Sequence, residues 1–164
     1  MSLKQTLFLN INQLKNKPMK KLLLLSGFLL FAFTQAQAAN CEDTLTVGDS
    51  IKFDKSSISV PKSCKKFKIN LVHNGKMSKT TMGHNVVITA TSDVSMVGAK
   101  AASAGVKNNY VPKSDKVIAA STLIGSGEKT SVEFDVSKIS SGSYSYLCSF
   151  PGHWAIMKGK LVIK

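Results

Sequence analysis

From Lys66 to His73 the chain alternates polar and apolar residues, which sets Phe67, Ile69, Leu71 and His73 on one side. It does so again from Thr130 to Val136, with Val132, Phe134 and Val136 aligned. A period of two marks a strand with one buried face. Ser143 to Cys148 places Tyr144, Tyr146 and Cys148 together, Asn85 to Thr89 is a short β-branched run, and Lys158 to Ile163 closes the chain as another strand. Leu45 to Phe53 and Ser57 to Val60 carry the pattern more weakly. Turn residues at Gly48-Asp49, Asn74-Gly75, Gly125-Ser126-Gly127 and Ser141-Gly142 separate these segments, the spacing of a sandwich or barrel. The expected fold class is all-β. Alanine-rich Ser95 to Gly105 predicts one short helix outside the sheets, and Pro112 returns the chain to extended conformation.

The N-terminal segment has a different pattern. Lys20 and Lys21 precede an apolar run of 12 residues, Leu22 to Phe33, followed by Thr34-Gln35-Ala36-Gln37-Ala38. A basic start, a short apolar stretch and small residues at Ala36 and Ala38 describe a cleavable export signal, with cleavage after Ala38. The run is too short for a bilayer span, which needs about 20 residues. Met19-Lys20-Lys21 already supplies the basic start, so residues 1–17 are an extension and Met19 is an alternative initiation point. Cys41 follows Ala39-Asn40 rather than the run of small residues that lipid attachment favours. A soluble domain of residues 39–164 is expected, free of internal repeats and long enough to bury a core.

Charge narrows the choice of partners. In residues 39–164, 17 lysines against nine acidic side chains leave a net charge of +8, and the chain contains no arginine. Without the forked guanidinium that reads phosphates and bases, nucleic acid is a poor partner. The positive field biases encounters toward acidic proteins or anionic surfaces in a salt-dependent manner.

Three cysteines in an exported chain leave one to be explained. Cys41 and Cys64 lie close together near the start of the domain and are paired; Cys148 is then an exposed liability or a ligand. It opens Cys148-Ser149-Phe150-Pro151-Gly152-His153-Trp154-Ala155-Ile156-Met157, a C-x4-H-x3-M segment between two predicted strands. Thiolate and thioether favour Cu(I), imidazole suits either oxidation state, and a trigonal His2Cys site with a weak axial Met is diagnostic of blue copper. Such a site needs a second histidine. His84, in Met82-Gly83-His84-Asn85, is the better choice; Gly83 permits close backbone approach and Asn85 can brace the neighbouring loop. His73, flanked by strand rather than by a ligand loop, reads as a core histidine.

Taken together, Ser63-Cys64-Lys65, Met82 to Asn85, Leu123 to Lys129, Phe134 to Lys138 and Cys148 to Met157 resemble the azurin family across residues 39–164. The resemblance implies a cupredoxin Greek-key β-sandwich of about eight strands with one external helix, a Cys41–Cys64 disulfide, and periplasmic one-electron transfer in a Gram-negative bacterium. It implies one copper ion held by His84, Cys148, His153 and Met157, with the Gly83 carbonyl as a weak axial oxygen. It assigns a backbone N–H near the Cys148 sulfur to Phe150, and the joining of the two loops to Asn85 and Ser149. Electrons are expected to leave through His153, surrounded by an apolar patch of Met82, Phe150 and Pro151. Three features depart from the family pattern: Val86 stands where tryptophan is frequent, Trp154 where a small residue is usual, and the flap from Ala99 to Val106 is small and poor in methionine. Trp154 either packs under the loop or meets a partner.

The expected partners are transient redox proteins, such as a c-type cytochrome or a copper reductase. A periplasmic copper carrier or buffer with the same ligands is the alternative. An immunoglobulin-like module explains the strands but leaves the four donors without a role. An enzyme is disfavoured because, with two of three histidines committed, no second multi-histidine copper centre can be assembled. No nucleophile–base pair or phosphate loop is evident either.

Overall fold

The computed structural model describes residues 39–139 and 142–164. The export signal and the cleavage after Ala38 therefore lie outside the described residues. Eight strands form two sheets: β1 (Glu42–Val47), β2 (Ser57–Val60), β3 (Lys66–His73), β4 (Val87–Ala90), β5 (Ala119–Ala120), β6 (Lys129–Asp135), β7 (Tyr144–Leu147) and β8 (Lys158–Ile163). The smaller sheet is ordered β1-β3-β6 and the larger β2-β8-β7-β4-β5. β1 pairs with β3 and β2 with β8 in parallel; the remaining ladders are antiparallel.

The alternating residues do what a period of two requires. Phe67, Ile69 and Leu71 from β3 and Val132 and Phe134 from β6 turn inward against Ile58, Val60, Ile88, Tyr146 and Leu161 of the facing sheet. The β4 segment does not alternate, because both its faces are covered. Ile88 enters the main core, while Val87 joins Val94, Val97 and Leu147 beneath a helix, α2 (Val94–Ala104). In α2 the buried residues are Val94, Val97, Gly98 and Ala101, the single stripe of a helix lying on a surface. This is the helix predicted outside the sheets. A second, four-residue helix, α1 (Lys79–Met82), precedes Gly83 and has no counterpart in the sequence reading.

The strand expected from Leu45 to Phe53 is displaced. Its pairing runs from Glu42 to Val47, after which a Gly48–Ser50 bridge turns the chain away, and Phe53 reaches the core from a loop. Cys41, just ahead of β1, is joined to Cys64, just ahead of β3, with Cα atoms 5.7 Å apart. This cross-link closes a loop of 23 residues' separation, a constraint worth roughly 3 kcal/mol in a chain-entropy account. Cys148, the one free cysteine among the described residues, is completely buried.

Candidate metal centre

Three connections meet at one end of the sandwich. Gly83 and His84 follow α1, the Gly48 turn follows β1, and the Cys148–Met157 loop joins β7 to β8. Gly83 has ordinary extended dihedrals, φ −72° and ψ 144°, so its glycine is not a matter of left-handed backbone. It is a matter of space: a Cβ there would run into the carbonyl oxygen of Lys79 and lie 3.1 Å from the Leu123 side chain. His84 is then held by a two-way backbone bridge with Ile124, His84 N–H donating at 3.0 Å and Ile124 N–H at 2.9 Å. Gly152 differs, since its φ of +84° places it in the region that favours glycine.

The Cys148–Met157 loop is closed on itself. Cys148 N–H donates to the Met157 carbonyl at 3.0 Å, His153 N–H to Phe150 at 3.0 Å, and Met157 N–H to His153 at 2.8 Å. This folding brings His153 onto the Cys148 sulfur, and the bridge to Ile124 holds His84 against the same atom. Their Nδ1 atoms lie 3.7 and 3.6 Å from Cys148 Sγ, and the Gly83 carbonyl oxygen lies 3.9 Å from it. One donor atom from each of His84, Cys148 and His153 falls within 4.8 Å of the others, all three residues being buried. Met157, the fourth predicted ligand, is fully buried in the same cluster as Cys148.

The orientation of His84 follows from its other nitrogen. Nε2 lies 2.9 Å from the Gly48 carbonyl, which can only accept, so Nε2 carries the proton and Nδ1 presents its lone pair toward the sulfur. His73 is engaged at both nitrogens: Nδ1 accepts from Gly75 N–H at 3.0 Å and Nε2 donates to the Met82 carbonyl at 3.3 Å. Its ring lies 5.3 Å from that of His84, as a packing neighbour.

The two loops are tied by Asn85. Its Oδ1 accepts from Ser149 N–H at 2.8 Å, and its Nδ2 donates to Ser149 Oγ at 2.8 Å and to the Asn109 carbonyl at 2.7 Å. Asn109 returns a further bond, accepting Leu123 N–H at its side-chain oxygen, 2.9 Å. Asn109 and Tyr110 both have left-handed backbones, φ 54° and 56°, a conformation costing about 1 kcal/mol or more for a non-glycine residue. The strained turn brings the Tyr110 ring edge-on to Phe150, with centroids 5.4 Å apart. Asn109, Tyr110 and the Gly48 carbonyl were not singled out from sequence. The only signal was the Asn108-Asn109 pair, asparagine being the residue besides glycine that best tolerates that turn.

Burial sets the charge states. It pushes the His84 pKa down to about 4, partly offset by the bond to Gly48, and it lowers His153 as well. It pushes the Cys148 thiol up to about 11, against the pull of the backbone N–H groups of Asn85 and Phe150. Two neutral imidazoles and a thiol that gives up its proton to a soft ion form a set suited to copper.

The sequence model for copper binding proteins of the plastocyanin/azurin family matches residues 39–164. The chain belongs to the plastocyanin/azurin family. It is 50% identical over 123 residues to the azurin of Alcaligenes faecalis, covering 74% of this chain and 96% of that one. It is 48% identical over 128 residues to azurin iso-2 of Methylomonas sp. strain J, covering 77% and 99%. A solved structure of that iso-2 azurin superposes with a TM-score of 0.73, at 48% identity over 77% of this chain and 99% of the other.

The protein is accordingly a type 1 copper electron-transfer protein with one copper ion, and not an enzyme. Its partners are transient redox proteins, and the copper-carrier alternative is not favoured. The azurin-like sandwich accommodates two of the departures from the family pattern, Val86 and Trp154. Val86 is fully buried, with its N–H donating to Ser121 Oγ at 3.0 Å. Trp154 lays its indole on Gly98 of α2, where any Cβ would collide with the ring, and packs against the Val87–Leu147 cluster. Trp154 thus joins the loop to α2.

If Asn85 is the tie between the loops, Asn85→Ala strands Ser149 N–H and the Asn109 carbonyl and costs about 3 kcal/mol, several of these groups being buried. Denaturant unfolding of the metal-free protein measures this. A loss below about 0.5 kcal/mol would mean the loops are held by other contacts.

Proposed function

We propose that His84 Nδ1, His153 Nδ1 and the Cys148 thiolate would hold the copper as its strong ligands, with the Met157 thioether and the Gly83 carbonyl as weaker donors. The observation that carries this reading is the approach of both Nδ1 atoms to within 3.7 Å of one buried sulfur. When bound, copper supplies a one-electron Cu(I)/Cu(II) couple. The chain's contribution is to fix the donors: Gly48 holds the His84 tautomer, the Asn85 and Phe150 N–H groups favour thiolate charge, and the loop hydrogen bonds hold His153. Donors held in place in this way need not rearrange when the oxidation state changes, which lowers the cost of the change.

His153 is the residue through which partners reach the site. Only 3% of its surface is exposed, and its ring lies 4.7 Å from that of half-buried Phe150, with exposed Pro151 following. Half-buried Met82, at the end of α1 and two residues before His84, is proposed as a further member of this patch. Small apolar contacts suit brief redox encounters, which bury little area. A c-type cytochrome or a copper reductase is the partner class proposed, in the periplasm, after export and cleavage behind Ala38.

Cys148→Ser should abolish the intense thiolate-to-Cu(II) visible band, because a hydroxyl cannot replace a soft covalent sulfur donor. An unchanged visible spectrum would assign the metal elsewhere.

Met82→Lys places a charge that must be desolvated at each encounter, so self-exchange and partner reduction should slow by about tenfold or more while the visible spectrum holds. Stopped-flow rates at matched ionic strength decide this; unimpaired rates would remove Met82 from the port.

Intact-mass measurement of protein recovered from the periplasm should give a chain starting at Ala39. A product that keeps Leu22 to Phe33 would contradict the export reading.

A further inference from the structure

The outer faces of the two sheets treat their lysines differently. On the smaller sheet the register sets Lys68 between Glu42 and Glu133, and Lys66 opposite Asp135. Ion pairs form there: Lys68–Glu42 at 3.1 Å and Lys66–Glu133 at 2.8 Å. On the larger sheet the register sets Lys160 between Ser57 and Ser145, and Lys158 opposite Leu147. Both lysines are exposed, and among the described residues neither they nor Lys62 form an ion pair within 4.0 Å. The surface around them is concave. A cavity of about 500 Å³, with Lys62, Tyr144, Lys160 and Val162 in its wall, adjoins one of about 370 Å³ bordered by Ser56, Ser95, Ser145 and Lys158. The two share Thr91 and Lys160, and so form one trough along β8. Val162 is 38% exposed in the trough. No aspartate or glutamate lines either cavity.

We propose that this trough is a docking groove for an extended acidic segment of a partner protein. Three uncompensated lysines in a concavity focus a positive potential, which an anionic segment relieves. Side chains on alternate residues of β8 stand about 6.6 Å apart along the strand, the same repeat at which an extended peptide presents alternate carboxylates. The serine and threonine hydroxyls add donors, and Val162 supplies an apolar contact. A bilayer surface does not enter a trough, whereas a single extended chain does. The groove begins one residue beyond Met157, so a segment seated there runs beside the ligand loop. The inference rests on charge and register and is independent of the ligand assignment.

The test is a 15N NMR titration of the Cu(I)-loaded mature protein with a short synthetic peptide of alternating Glu and Ser, at low salt. Amide shifts should concentrate on Thr91, Ser145 and Lys158 to Val162, and binding should weaken steeply as salt rises. The double variant Lys158→Gln/Lys160→Gln should lose about tenfold in affinity, while Lys107→Gln/Lys113→Gln should lose less than about twofold. Both keep the copper spectrum as a check on folding. The proposal is overturned by shifts spread over the lysines generally or gathered around His153, by equal losses in the two variants, or by binding to phosphatidylglycerol vesicles with none to the peptide.

Discussion

One amide, that of Asn85, joins parts of the chain that the strands alone would leave independent. Its oxygen accepts Ser149 N–H, and its nitrogen reaches Ser149 Oγ and the Asn109 carbonyl, so it ties the His84 segment to the Cys148 loop and to the turn after α2. The residues next to these bonds are two of the proposed donors: His84 precedes Asn85, and Cys148 precedes Ser149. A shift of the clasp is therefore a shift of both side chains. Because Asn85 and Ser149 are fully buried, these bonds do not compete with water. The left-handed turn at Asn109 and Tyr110 is the local strain that the arrangement carries.

Burial makes this clasp useful for redox chemistry. A carboxylate-free site with two imidazoles kept neutral and a thiol held protonated until metal arrives contains no fixed charge of its own. Copper would bring the charge, and the surrounding dipoles already suit it: Gly48 faces the His84 N–H, and the Asn85 and Phe150 amides face the sulfur. Preorganised dipoles need not reorient when the electron count changes, which is the physical basis for rapid exchange. Trp154 extends the support outward, stacking on Gly98 and coupling the ligand loop to the helix that covers Val87 and Leu147.

Much of the fold was legible because period-two burial is a local property. β2, β3 and β8 lie where alternation placed them, and the alanine-rich segment is the outer helix. β1 was misplaced because Gly48-Asp49-Ser50 interrupts the ladder that the apolar residues beyond seemed to continue, and two-residue β5 is too short to leave a pattern. β4 shows no alternation, since Val86 to Thr89 is buried on both faces. In the candidate metal centre, the grouping of His84, Cys148 and His153 was readable because their side chains carry the chemistry. The Gly48 and Asn109 contributions were not, because each acts through a backbone carbonyl, which every residue type possesses, from 36 and 24 positions away.

The fold, rather than the metal, positions the proposed donors, and crystal structures of the mature protein in metal-free and copper-loaded forms decide this. His84, His153, Cys148 and the Asn85–Ser149 bonds should superpose in the two states. A metal-free form in which His153 swings away, or in which the Cys148–Met157 loop opens and the Asn85 bonds break, would show that the metal does the positioning.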